Sequence, residues 1–260
     1  HNNLGVTLQN LGLMDEAIAS YKKAITSNPD YAEAHNNLGV TLQNLGLMDE
    51  AITSYEKATT SNPDYAEAHN NLGNIFKELE QLDAAVKSYE KVSAINPDYP
   101  EAHYNLGNTL VELGQLEDAT KSYEKVIAIN PNYPEAHYNL GNTLVELGQL
   151  EDANKSYEKV IAINPNYPEA YFNLGSSLQQ LGKLDQAIKC YEKAISIRPN
   201  YSGAYYNLSY LKKYIASDPQ ISKMQSLLSS DNITQSDRID LYFALAKVNE
   251  NLDNQDELFK

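Results

Sequence analysis

Three columns of side chains in this sequence could do chemistry, and each recurs every thirty-four residues. An Asn recurs at Asn3, Asn37, Asn71, Asn105, Asn139, Asn173 and Asn207. Each amide offers an acceptor and two donors, and Asn is a mediocre helix former. A row of such amides, one per repeat, could bind the main chain of an extended peptide without reading its sequence. The residue before each Asn changes along the chain, from Asn36 and Asn70 to Tyr104, Tyr138, Phe172 and Tyr206. One turn later stand Val6, Val40, Asn74, Asn108, Asn142, Ser176 and Tyr210. Aromatic bodies with polar tips make good binding surface. The expected peptide-binding set is therefore Asn37, Asn71, Asn105, Asn139, Asn173 and Asn207, with Tyr104, Tyr138, Phe172, Asn74, Asn108 and Asn142. Each column also has a packing explanation. The amides could tie adjacent helices together or be copied by duplication, and the rings could pack between neighbouring helices.

The other reactive side chains read as structural. All five His fall in one column, His1, His35, His69, His103 and His137. Metal binding needs ligands that converge, whereas helix packing spaces such a column by on the order of 10 Å. No metal or cofactor is expected. Cys190 is the single cysteine and takes a slot held elsewhere by Ser54, Ser88, Ser122 and Ser156, so it reads as a small spacer. With no internal disulfide, a reducing, cytoplasmic setting is expected. No Gly-rich phosphate loop follows a strand, and no Ser/His/Asp set lies outside the repeat columns, so an enzyme is not expected. Glu78, Glu112 and Glu146 would bias a binding surface toward neutral or basic segments.

Composition narrows the partners. A net charge of −15 gains nothing from phosphate backbones, which argues against nucleic acid. Apolar residues come in short periodic groups, never in a run of about 18 or more, so no membrane span is expected. No secretory signal is visible; the chain opens inside a repeat, without a start Met, and reads as an excised fragment.

Two helices per unit must position these columns. His103 to Ala136 and His137 to Ala170 are the same sequence except that Thr120 becomes Asn154. In Asn132 to Leu147, Asn132 and Glu135 could form a capping box. The same pairing recurs as Asp30 with Glu33, Asp64 with Glu67, Asp98 with Glu101, and Asn166 with Glu169. Ala136, Leu140, Leu144 and Leu147 keep a helical period, and Gly148 ends the helix. A second helix is expected from Leu150 to Ile163, stopped by Asn164-Pro165. Gly141 and Ala153 would mark the crossing of the two helices, and Tyr157 would fill the space toward the following unit.

The Leu140-Gly141, Gly148, Ala153, Tyr157 and Pro165 pattern resembles the tetratricopeptide repeat, with the usual Trp replaced by His137 or Tyr171. The resemblance implies an all-α, right-handed superhelical solenoid of stacked antiparallel helix pairs. It also implies that the first helix of each pair lines a concave groove. It covers residues 1–201 as six repeats, the first lacking its start. A degenerate seventh repeat is expected over 202–235 and a truncated helical half-repeat over 236–260, with a last helix beginning near 255. The Asn column is similar to the peptide-binding Asn ladder of O-linked N-acetylglucosamine transferase.

The tail, from Asp218-Pro219-Gln220-Ile221 to Phe243-Ala244-Leu245-Ala246-Lys247, resembles the segment that follows the repeats in bacterial tetratricopeptide proteins carrying a sulfotransferase domain. Three functions follow. The first is a scaffold that binds an extended peptide or partner segment through the Asn ladder. The second is the recruiting arm of a larger enzyme, a sulfotransferase, whose catalytic domain is absent here. The third is a repeat module that self-associates through its terminal faces.

Overall fold

Pro and Gly at fixed offsets cut the chain into helices of nearly constant length. The computed structural model describes residues 1–230 and 233–252, and all regular structure among them is helical. The chain divides into two compact units, 1–131 and 132–260. The first contains α1 (Asn2–Asn10), α2 (Met14–Ser27), α3 (Ala32–Asn44), α4 (Met48–Ser61), α5 (Ala66–Glu78), α6 (Leu82–Ile95), α7 (Pro100–Glu112) and α8 (Leu116–Ile129). The second contains α9 (Pro134–Glu146), α10 (Leu150–Ile163), α11 (Pro168–Gln180), α12 (Leu184–Ile197), α13 (Ser202–Leu211), α14 (Pro219–Leu228) and α15 (Gln235–Asn251).

Within each unit the first and second helices of a repeat pack together, and the second also packs on the first helix of the next repeat. A continuous core results. In the first unit it links Ala17, Tyr21, Leu38, Leu42, Ala51, Tyr55, Leu72 and Ile75. The turn between the paired helices needs a left-handed residue, and Gly148 supplies it at φ 72°. The third repeat has no Gly there and places Glu80 at φ 58°.

Two expectations about the repeat are corrected and one is extended. The capping boxes do not form. Helices α3, α5, α7, α9 and α11 start after Tyr31, Tyr65, Tyr99, Tyr133 and Tyr167, none of which makes a side-chain capping bond. Ahead of three of these helices, the Asn of the Asn-Pro pair captures the main-chain N–H two residues on, as in Asn28 Oδ1 accepting from Asp30 N at 3.3 Å, with the same turn at Asn62 and Asn164. The would-be caps Asp30, Asp64 and Asn166 therefore lie in a turn rather than at a helix start.

Tyr157 faces the following unit, where it lines a cleft with Asn173 and Ser177, but it is also held by its own repeat. Its ring lies on Gly141 of its own repeat, where an added Cβ would stand 2.6 Å from a ring carbon. Five other repeats pair Gly and Tyr in the same way, from Gly5 with Tyr21 to Gly175 with Tyr191. Ala at such a Gly would gain about 1 kcal/mol of helix propensity, but the overpacking costs about 1–3 kcal/mol.

The second correction concerns the tail. The expected seventh pair inside 202–235 would join α13 to α14, yet α13 packs on α15, and α14 rests against α15. The short α14 buries only Met224, whereas α15 buries Leu241, Ala244 and Val248. The expected boundary at 235 thus cuts a helix pair. Asp218 does cap α14, accepting from Gln220 N at 2.9 Å. The helix expected near 255 lies outside the described residues.

Candidate functional site

Helical period places each Asn of the column on the first helix of its repeat, with helix-to-helix neighbours about one repeat away in sequence. In the first unit these neighbours form relays. Asn37 Nδ2 donates to Asn2 Oδ1 (3.1 Å), and Asn2 Nδ2 donates to Glu33 Oε1 (2.9 Å). One repeat on, Asn71 Nδ2 donates to Asn36 Oδ1 (3.0 Å) and Asn36 Nδ2 to Glu67 Oε1 (3.1 Å). Glu33 and Glu67 are therefore acceptors between repeats. Asn105 breaks the series: its Nδ2 turns to Asn74 Oδ1 at 3.4 Å. Asn74 Oδ1 also accepts from the Tyr89 hydroxyl at 2.8 Å, as Asn108 Oδ1 does from Tyr123. The Tyr104 ring packs 6.1 Å from the Tyr123 ring.

The second unit repeats the later arrangement. Asn173 Nδ2 donates to Asn142 Oδ1 (2.9 Å) and to the Tyr138 hydroxyl (3.1 Å). Asn142 Oδ1 also accepts from Tyr157 (2.8 Å). The Asn139 carbonyl accepts from Thr143. Asn207 Nδ2 donates to Tyr191 Oη at 3.3 Å. The half-buried rings are held by neighbours on two sides. Tyr138 packs against Tyr157 and Tyr167, with centroids at 6.1 and 5.3 Å. Phe172 packs against Tyr191 and Tyr201, at 5.8 and 5.0 Å. Burial pushes the Tyr191 and Tyr201 hydroxyls up to about 12 and the Tyr157 hydroxyl further.

The structure thus gathers Asn142, Asn173, Tyr138 and Tyr157 into one hydrogen-bonded group. Beside it α9 and α11 leave a cleft of about 330 Å³, lined by Asn142, Val145, Glu146, Tyr157, Asn173, Ser176, Ser177 and Gln180. Phe172 and Asn207 do not line it. Among the described residues, Asn37 and Asn71 each commit side-chain donors to one partner, which leaves each carbonyl oxygen and second amide hydrogen available.

Two groups of residues were missed from the sequence. One is Gln9, Gln43 and Gln179, which accept from the buried hydroxyls of Tyr21, Tyr55 and Tyr191 at 2.8–2.9 Å. These Gln occur where the residue after the column Gly is Val6, Val40 or Ser176, and are absent where it is Asn74, Asn108 or Asn142. That alternation was a legible signal. The other is the cleft lining of Val145, Ser176, Ser177 and Gln180.

The remaining candidates fall to structural roles. His35, His69 and His103 each bond through Nε2 to a Pro carbonyl, of Pro29, Pro63 and Pro97, at 2.8–3.0 Å. Burial, chiefly, pushes the Cys190 thiol up to about 11, which keeps it protonated at neutral pH. Among the described residues no group of three or more His, Cys, Asp or Glu could hold a metal ion, and no helix is long and apolar enough to cross a membrane.

Comparison with known proteins bears on both fold and surface. A family model described as TPR repeat matches residues 11–46, 48–79, 73–114, 107–148 and 141–182, and one described as tetratricopeptide repeat matches 168–201. No curated protein matches the chain. Among solved structures, YrrB, described as a TPR protein with an unusual peptide-binding site, is 26% identical, with a TM-score of 0.66 over 72% of this chain and 96% of its own. A crystal structure of MamA is 28% identical, with a TM-score of 0.60 over 62% and 95% of the two chains. The C-terminal part of a TPR repeat-containing protein from Cytophaga hutchinsonii covers 93% of this chain and 99% of its own at a TM-score of 0.74; at 18% identity that likeness is one of fold alone.

Proposed function

Because the chain belongs to the tetratricopeptide repeat family, a family of protein-interaction scaffolds, we propose that it holds an extended peptide segment of a partner protein against its first helices. The segment's main chain bonds to the amides of Asn37, Asn71, Asn105, Asn139, Asn173 and Asn207. Tyr104, Tyr138, Phe172, Asn74, Asn108 and Asn142 flank that row. The observation that carries the reading is the cleft between α9 and α11, where Asn142 and Asn173 stand at an opening large enough for a side chain. The rings beside it are fixed by neighbouring rings before any ligand arrives, so little ordering cost remains to be met on binding. The described peptide-binding site of YrrB, a fold relative at 26% identity, supports the same class of ligand.

The test pans a displayed random-peptide library against the protein and measures the selected peptides on a variant with Asn105, Asn139 and Asn173 changed to Ala. Affinity is expected to fall at least about tenfold, equivalent to one or two lost hydrogen bonds, while the circular dichroism spectrum keeps its helical form. Unchanged affinity, or loss of helicity in place of affinity, sinks the reading.

A further inference from the structure

The first helices of the repeats, α1, α3, α5, α7, α9, α11 and α13, carry a single cation between them, Lys77. It is taken: Lys77 Nζ lies 3.1 Å from Glu112 Oε1 on the next first helix. On the other first helices its column holds Gln9, Gln43, Val111, Val145 and Gln179, all uncharged; the column's second cation, Lys213, lies after the end of α13. The Glu column on the same face is Glu78, Glu112 and Glu146. Glu112 has Lys77, and Glu78 Oε2 accepts from Gln43 Nε2 at 3.3 Å. Among the described residues Glu146 alone of the three has neither an ion-pair nor a hydrogen-bond partner. It is also the one that lines the cleft, where α9 and α11 bring no Lys or Arg.

We propose that this cleft is a subsite for a single Lys or Arg side chain of the bound peptide. This rests on the groove reading above and adds the class of side chain that the groove selects. The alkyl stem of such a residue lies along Val145, and its cationic head reaches the Glu146 carboxylate, as Lys77 already reaches Glu112 within the chain. Oxygens of Ser176 and Gln180 stand at the same opening to take the remaining donors of a guanidinium or ammonium group. A neutral or acidic side chain would leave Glu146 without a partner or face it with a like charge. The net charge of −15 attracts a basic segment at long range, while the cleft fixes where its charge is placed.

Two measurements test this. In the first, peptides selected from a displayed random library are compared between the protein and its Glu146→Gln variant. A Lys or Arg at one fixed position is expected in the first set and absent from the second. Basic peptides should bind the variant about tenfold more weakly, the scale of one charge-assisted bond, and Glu112→Gln should leave their affinity unchanged. In the second, acetyl-arginine amide and acetyl-norleucine amide are titrated while the amide resonances of Val145 and Gln180 are followed. The arginine derivative should shift them in the protein but not in Glu146→Gln, and the norleucine derivative in neither. Selected peptides without a basic residue, together with no arginine-specific shift, overturn the subsite and leave the groove reading standing. An arginine-specific shift with no peptides selected upholds the subsite and overturns the groove. Failure of both overturns both.

Discussion

The early and late repeats solve one packing problem in two ways. In both, a Tyr ring fully buried on a Gly needs an acceptor for its hydroxyl, and the column Asn needs a partner on the previous repeat. Early in the chain these needs are met separately. Tyr55 bonds to Gln43 of its own repeat, and Asn71 bonds to Asn36, which passes the bond on to Glu67. In the middle repeats they are met by one atom, as where Asn142 Oδ1 accepts from both Tyr157 and Asn173, before Tyr191 returns to a Gln of its own repeat. That economy releases the position held by Asn36 for an aromatic residue, Tyr138, and the position held by Gln43 for Val145. The later arrangement therefore presents rings and an apolar cleft wall where the earlier one presents amides. A change in how the core is satisfied alters the surface offered to a ligand.

What the two regions share should fail together. Burial is the first cause raising the hydroxyls of Tyr21 and Tyr55 in one region and Tyr157 and Tyr191 in the other above the usual phenol value of 10. The folded pKa lies above the unfolded one, so this contribution to stability is complete below pH 10 and is lost as pH rises through the folded values, about 12 for Tyr191. Helicity and tyrosinate absorbance should change in one cooperative step above pH 10. Tyrosinate absorbance rising to the full value for all tyrosines, buried rings included, while helicity persists would show that the rings are not the common support.

The largest difference between the regions should appear at Asn142. Asn142→Ala removes the acceptor of two donors and should cost about 2–4 kcal/mol by urea denaturation, since each orphaned buried donor costs about 1–3 kcal/mol. Adding Val145→Gln restores the early arrangement for Tyr157 but not for Asn173, so about half of the loss should return. A double variant no more stable than the single one breaks the comparison. Gln43→Val orphans the buried hydroxyl of Tyr55 and removes only an exposed bond to Glu78 besides, so it should cost less, about 1–2 kcal/mol, with recovery of the Tyr55 part on adding Val40→Asn.

Much of this was legible in advance, and what was not has a common physical origin. Gly141, Tyr157 and Pro165 gave the period, and the second helix runs from Leu150 to Ile163 as expected. Period says which face a residue occupies; it does not say which neighbour its side chain meets. Tyr157 was therefore expected toward the following unit, where it stands beside Asn173, but not against Gly141 of its own repeat. Asp30 and Glu33 had capping-box spacing, yet the Asn28 side chain claims the Asp30 N–H first. The Asn column was visible, but the partners of Asn71, Asn105 and Asn173 stand 31 or 35 residues away, and whether the one 31 residues away is available depends on whether position 40, 74 or 142 offers an oxygen. Glu146 could be read as acidic; its lack of a partner among the described residues is a property of its neighbours.

The third repeat, where one arrangement gives way to the other, provides the finest test. Asn105 turns to Asn74, and no Asn then donates to Asn70, whose buried Oδ1 is left without a partner among the described residues. Asn36, in the same column, holds both of its bonds, one from Asn71 and one to Glu67. The same substitution should therefore have opposite signs at the two positions. Asn70→Tyr removes an unsatisfied acceptor and places a ring near Tyr89, as Tyr104 lies near Tyr123, so a gain of about 1 kcal/mol is expected. Asn36→Tyr breaks a satisfied relay: it removes the bond to Glu67 and leaves Asn71 only a hydroxyl acceptor of the kind that Tyr138 offers Asn173, so a loss of about 1 kcal/mol is expected. Urea denaturation of the two variants decides it. Equal signs would mean that the change of partner at Asn105 has no energetic consequence, and that the early and late repeats differ in sequence without differing in how they are held.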